Sequence, residues 1–244
     1  MEAKVLAWLE EQAVVAKGVV CEDSAVVGEM RASLEAADGR EWLVGGVDVS
    51  PSSVASMAVY VLPSLVCVEE VRLEVNLKEP YVAGFLAFRE AEAYASLLRR
   101  CRARPHVLLV DGNGLLHPRS AGSACHVGVK NSIATIGVAK ELLCVDGLTK
   151  KEIKEKYLGE LRERGQWLPL KGTQRTLGAV LRLSSSSPFK PVFVSVGHDL
   201  CLDTAVFLTK FCSPIYRIPQ PIRHADHLGR SSKNSLKKSV RSND

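Results

Sequence analysis

Two short runs, Leu43-Val44-Gly45-Gly46-Val47-Asp48-Val49 and Val107-Leu108-Leu109-Val110-Asp111, are apolar almost throughout, and each carries one aspartate. Runs this short and this free of polar residues suit strands buried on both faces, because half-exposed strands alternate. An unpaired carboxylate in such a core would cost on the order of several kcal/mol in lost hydration. Each aspartate therefore either caps the turn after its strand or faces a positive charge. For one residue alone the two roles are equally served; two such residues in separate strands favour a shared positive partner.

The rest of the chain arranges itself around these strands. Val5, Leu6, Leu9, Ala13 and Val14 recur at helical spacing and predict a helix from Ala3 to about Val20. Trp42 to Val49, Val54 to Leu62 and Val66 to Val75 predict three strands in a meander, broken near Pro51 and Pro63. A helix follows over Gly84 to Cys101, then strands at Val107 to Val110, Ile133 to Val138, Thr176 to Leu183 and Val192 to Val196. Ser184 to Ser187 reads as an exposed turn, and Leu202 to Phe211 and roughly Pro219 to Leu228 as the last helices. An antiparallel meander followed by alternating helices and parallel strands gives an α/β fold, a mixed sheet with helices on both faces. The ribonuclease H-like architecture is one such solution.

With 244 residues, 46% hydrophobic and 24% charged, the chain can bury one large core, so we expect a single domain over 1–230 and a frayed basic tail from Ser231 to Asp244. The first fifty residues hold ten acidic against four basic side chains, whereas Arg217 to Asp244 holds two against seven, so phosphates are expected at the basic end. The net charge of +5 is too small to indicate a polyanionic partner by itself. Cysteines at 21, 67, 101, 125, 144, 201 and 212 form no CxxC pair and no zinc-ligand spacing, which implies a reducing compartment. No apolar run is long enough to span a bilayer, and the acid-rich start is unlike a secretory signal, so a soluble monomer of the cytoplasm or nucleus is expected.

Glu90 is a third informative acid. On a helix from Gly84 it shares a stripe with Leu86, Ala87, Tyr94 and Leu97, while Arg89, Glu92, Ser96, Arg99 and Arg100 take the other face. A glutamate on the buried stripe is served equally by an internal ion pair and by a metal. Three acids aimed into one core, with no histidine or cysteine cluster beside them, favour a hard, oxygen-seeking cation such as magnesium over zinc.

The segments Gly46-Val47-Asp48-Val49-Ser50, Pro80-Tyr81-Val82-Ala83-Gly84 leading into Phe88-Arg89-Glu90, Asp111-Gly112-Asn113-Gly114 with His117-Pro118-Arg119, Gly137-Val138-Ala139-Lys140, Ser195-Val196-Gly197-His198 and Arg217-Ile218-Pro219 resemble the endonuclease V family. The resemblance runs from about Trp42 to Gly229, in order and at family-like spacing. It implies that Asp48, Glu90, Asp111 and Asp226 hold Mg2+, with Mn2+ able to substitute, and that Lys140 offsets charge on the phosphate. His117 is implied as a substrate contact, although a lone histidine more often caps a core.

Pro80, Tyr81, Val82 and Ala83 resemble the family's wedge, which enters the gap left by a turned-out nucleotide. The resemblance further implies that hypoxanthine is read by main-chain groups around Gly84, Gly112, Gly114 and Gly122, between Leu86 and Leu143. Cleavage is then expected at the second phosphodiester 3′ of inosine, leaving a 5′-phosphate and a 3′-hydroxyl. Bacterial members tend to carry a second proline where this chain has Ala83, and an acid where it has Gln220. Asp226, the DGNG wording and Cys125-His126 are closer to animal members, which act mainly on inosine-containing single-stranded RNA. The alternatives are a DNA repair endonuclease nicking at deoxyinosine, a non-catalytic binder of inosine-containing RNA, and a generic ribonuclease H-like nuclease.

Overall fold

A computed structural model describes residues 2–186 and 188–240, and over 232–240 the backbone alone. In chain order the elements are α1 (Glu2–Gly18), α2 (Ala25–Ala36), β1 (Trp42–Val49), β2 (Val54–Leu62), β3 (Val66–Glu74), α3 (Leu86–Arg100), β4 (Val107–Asp111) and α4 (Ser123–Asn131). They continue with β5 (Ala134–Ala139), α5 (Lys150–Glu160), β6 (Trp167–Lys171), β7 (Thr176–Leu181), β8 (Val192–His198), α6 (Leu202–Phe211) and α7 (Gln220–Val240). α7 therefore carries helical backbone into the basic segment that begins at Ser231, while 241–244 lie outside the described residues. Ser184 to Ser186 form no regular element, as expected for a turn, and Ser187 also lies outside the described residues.

The strands make one mixed sheet in the order β3-β2-β1-β4-β5-β8-β7-β6. The meander β1-β2-β3 is antiparallel, and β1, β4 and β5 run parallel side by side. Beyond β5 the expected parallel run does not continue. β6, a strand that the apolar pattern does not predict, folds back on β7, and β8 then lies antiparallel to both β7 and β5. The hairpin return leaves no crossover helix between β7 and β8, and without a crossover successive neighbours cannot be parallel.

Both faces of the sheet are covered. On one, Ala93, Tyr94 and Leu97 of α3 pack on Val47, Met57, Val59, Leu108 and Val110. On the other, Val44, Val107, Leu109, Ile136 and Val138 pack with α2, α6 and Ile222 of α7. Gly46 brings α7 close: a Cβ at that position would lie 2.2 Å from the carbonyl carbon of Pro221. Only a residue without a side chain lets the helix start directly on β1. Among the described residues no helix is long and apolar enough to cross a membrane.

Candidate active site

Side chains alternate along a strand, so Val44, Gly46 and Asp48 share a face of β1, as do Val107, Leu109 and Asp111 of β4, and Ile136, Val138 and the following Lys140 of β5. Because the strands are parallel neighbours, with Val47 beside Val110 and Asp111 beside Val138, the three charged residues emerge together at the carboxyl ends of the sheet. Lys140 Nζ makes an ion pair with Asp111 Oδ2. α7, seated over Gly46, brings Asp226 to the same place, where its charge acts on Asp48 and Lys140. Arg230 steadies Asp226 from one turn further on, Nε to Oδ1 at 2.7 Å. Glu90 arrives from α3, its Oε2 accepting from the buried Tyr94 hydroxyl at 3.2 Å. The five residues expected to carry chemistry, Asp48, Glu90, Asp111, Lys140 and Asp226, thus converge from five separate segments.

Their electrostatics are those of a site short of positive charge. Burial, then the facing Asp111 carboxylate and the charge of Asp226, raise Asp48 well above the usual carboxylate range, with Lys140 opposing. Burial likewise pushes Glu90 up to about 7, against the Tyr94 hydrogen bond and with repulsion from Asp48 and Asp111. Burial draws Lys140 down, but Asp111, Asp48 and Asp226 more than offset it and its ammonium is held above its ordinary value. The donor set is four carboxylates with no sulfur or imidazole, and burial and mutual repulsion raise the two most buried acids in a way that further positive charge would relieve. That set fits a hard divalent cation. The carboxylates stand further apart than a closed ligand trio, in which all donor atoms lie within 4.8 Å; among the described residues Cys67, Glu70 and His224 form that closer grouping.

The loop before α3 is exposed at Pro80, Tyr81 and Ala83, with Tyr81 72% accessible, and is anchored at Gly84. Gly84 takes a left-handed φ of 77° and its carbonyl accepts from three side chains: Gln12 Nε2 at 2.9 Å, His117 Nε2 at 3.1 Å and Arg119 Nη2 at 2.6 Å. Arg119 Nε in turn donates to Gln12 Oε1, and Arg119 lies over the Phe85 ring. His117 Nδ1 accepts from the Arg119 amide, and burial, then Arg119, push this imidazole down to about 4. Both ring nitrogens of His117 are engaged within the protein, so this neutral histidine helps to hold the loop at Gly84. Gln12 was missed in the sequence, although it lies on the buried stripe of α1 with Trp8 and Val15, the same signal that singled out Glu90. α1 is tied to the loop a second time by Trp8 stacked on Phe88 at 5.0 Å.

Gln12→Leu, which removes one donor to Gly84 and the acceptor of Arg119, is expected to lower stability by about 1–3 kcal/mol. Denaturant unfolding would measure it.

Of the expected base-reading groups, Gly84 has its carbonyl fully occupied. Gly114 donates to Ser195 Oγ at 2.9 Å and accepts from the Gly122 amide at 3.1 Å, and the Gly122 carbonyl accepts from the His126 amide. Gly114 and Gly122 bring backbone close, with their amides and carbonyls bonded within the protein. Gly112 donates to the Val138 carbonyl at 3.2 Å. Between Gly112 and Gly114, the buried Asn113 Oδ1 has no partner within the protein. Leu86 is half-buried at the start of α3, and Leu143 packs against Leu116 and Leu142.

From Lys140 a groove of about 560 Å³ extends along α5, lined among others by Lys150, Lys154, Lys190 and Arg217. Among the described residues the expected basic end contributes Arg217 to it, and the other cations come from mid-chain.

The fold is ribonuclease H-like, with a carboxylate cluster and one lysine at the carboxyl ends of its central strands. A family model described as Endonuclease V matches residues 29–227. Endonuclease V of Mus musculus is 46% identical over 195 residues, covering 75% of this chain and 57% of the mouse protein. That of Homo sapiens is 44% identical over 195 residues, covering 75% and 68%. The aligned part of the chain thus spans somewhat over half to two thirds of these relatives. The catalytic domain of human Endonuclease V superposes with a TM-score of 0.86 at 39% identity over 98% of both chains. Ciona intestinalis Endonuclease V, in complex with a 23mer DNA containing an inosine followed by a ribo-adenosine, superposes at 0.83 and 30% identity over 97% of this chain and 99% of that one. The chain belongs to the Endonuclease V family.

Proposed function

We propose that this protein is a magnesium-dependent endonuclease that hydrolyses the second phosphodiester bond 3′ of inosine in single-stranded RNA, leaving a 5′-phosphate and a 3′-hydroxyl. The observation that carries the reading is the convergence of Asp48, Glu90, Asp111 and Asp226 on one spot, with Lys140 in contact with Asp111. A Mg2+ ion, or Mn2+ in its place, would polarise the scissile phosphate and make an attacking water more acidic. Asp48 and Asp111 would hold the cation from the sheet, Glu90 from α3 and Asp226 from α7. Lys140 Nζ, already turned to the acids, would balance charge that develops on the phosphate. Tyr81, exposed on a loop fixed at Gly84, is free to fill the space of a turned-out nucleotide. The groove beyond Lys140 would track the backbone of the strand.

The test compares wild type with Asp48→Ala on a single-inosine RNA in magnesium. Product from wild type alone supports the reading, and equal product from both removes it. A second reading, action on DNA, is favoured by the inosine-containing DNA bound to the Ciona protein. Matched RNA and DNA strands with one inosine separate the two, since 2′-hydroxyl contacts must appear as a rate difference.

Charge reversal along the groove, Lys150→Glu with Lys154→Glu, is expected to weaken binding uniformly across sequences. The slope of log affinity against log salt should fall by about 1.4, roughly 0.7 for each phosphate of a single strand that a lysine no longer neutralises. Filter binding at several salt concentrations measures it.

A further inference from the structure

Away from the carboxylates, three ligand-type side chains stand with their donor atoms all within 4.8 Å: Cys67 and Glu70 of β3 and His224 of α7. Three positions apart in a regular strand, Cys67 and Glu70 would point to opposite faces. Here Val59 pairs with Glu69 while the next residue, Tyr60, pairs with Cys67, so Val68 is an extra residue bulged from β3. The bulge puts Cys67 and Glu70 on the same face as Ala58 and Tyr60, the face against which Leu228 of α7 packs. His224 Nε2 lies 3.0 Å from Glu70 Oε1, and its Nδ1 lies 2.7 Å from the Tyr60 hydroxyl.

We propose that Cys67, Glu70 and His224 form a second metal site, for an ion of the zinc class, that fastens α7 to β2 and β3. Thiolate, imidazole and carboxylate are a zinc donor set, distinct from the all-oxygen carboxylate cluster. Tyr60 does what a supporting residue does in such sites: it occupies Nδ1, fixes the ring and leaves Nε2 to the ion. Zinc bonds of about 2.0–2.3 Å set neighbouring ligands about 3.3–3.8 Å apart, so His224 and Glu70 need only spread by a few tenths of an ångström. Glu70 is exposed, leaving water access to a fourth position. Binding would release the Cys67 thiol proton to solvent as the sulfur–metal bond forms. His224 precedes Asp226 by two residues, on a different side of the helix, so occupancy would stiffen the element that presents Asp226 without touching the carboxylate cluster. Spacing along the chain could not reveal this trio, because the ligands meet through a bulge and a helix more than 150 residues away.

The test is titration of chelator-treated full-length protein with cobalt(II) alone, read by the thiolate-to-cobalt charge-transfer band, which no carboxylate can produce. One equivalent should generate the band, zinc should abolish it by displacement, and Asp48→Ala should retain it. Cys67→Ser should remove it, and His224→Gln should weaken binding at least about tenfold. Zinc should also raise the unfolding temperature of wild type more than that of Cys67→Ser. The proposal is overturned if wild type gives no band, or if the band survives undiminished in Cys67→Ser.

Discussion

Lys140→Met is expected to lower kcat on a single-inosine RNA by roughly 10²–10³-fold with little change in KM, a loss of about 3–4 kcal/mol of transition-state stabilisation. The reason lies in its surroundings. Lys140 follows β5, directly beside β4, and its ammonium meets Asp111 while feeling the charges of Asp48 and Asp226. Methionine keeps the length of the stem but removes the charge at the phosphate. It also leaves the carboxylates with less to oppose them, so the variant should need more magnesium for half-maximal rate. Arginine should restore only part of the rate, since a planar fork does not place its charge where an ammonium does. Single-turnover rates over a magnesium series would read both effects, and an unchanged kcat would remove Lys140 from the chemistry.

Glu90→Gln is expected to do two opposite things: abolish most cleavage and stabilise the metal-free fold. Glu90 is raised in the folded protein from 4.5 to about 7. An acid so raised contributes stability that is fully present below its unfolded value near 4.5 and is lost as pH rises through about 7. In chelator, wild type should therefore lose stability between about pH 5 and pH 8, by on the order of 2–3 kcal/mol from this group. Glutamine keeps the size and can still accept from Tyr94, so the variant should lose less, with a Tm above wild type by roughly 5 °C at pH 8. Magnesium should narrow or reverse that gap, because it stabilises only a protein able to bind it. Thermal melts of both proteins at pH 5 and pH 8, with and without magnesium, give the values needed. A wild-type Tm in chelator that rises between those pH values would contradict the assignment of Glu90 as a buried, cation-seeking acid.

The legible parts of this chain are those where one physical signal dominated. β1 and β2 fall where their apolar runs predict, since burial on both faces leaves no other arrangement for Leu43 to Val49. Asp48, Asp111 and Glu90 stood out because each puts a charge where hydration is lost, and the fold repays that anomaly by bringing them together. α4 was not legible: Ser123 to Gly128 are all buried, so no polar face marks a helix. β6 carries Pro169, which interrupts a strand pattern and is tolerated because this is the sheet's edge. α2 and α5 did carry signals that went unused. Val27, Met30 and Leu34 recur at helical spacing, and Thr149 caps α5 by accepting from the Glu152 amide and donating to its carboxylate. The clamp on Gly84 and the Cys67 grouping join residues far apart in the chain, and such meetings exist only after folding.

Whether four carboxylates hold a divalent ion against the strand beside an inosine is decided most directly by mixing the metal-free protein with two RNA strands that differ only in inosine or adenosine at one position, and then adding magnesium. No product is expected before magnesium, then a single cut of the inosine strand at the second bond on its 3′ side, with the adenosine strand intact. Equal cutting of both strands, or a cut that persists in excess chelator, would contradict that arrangement.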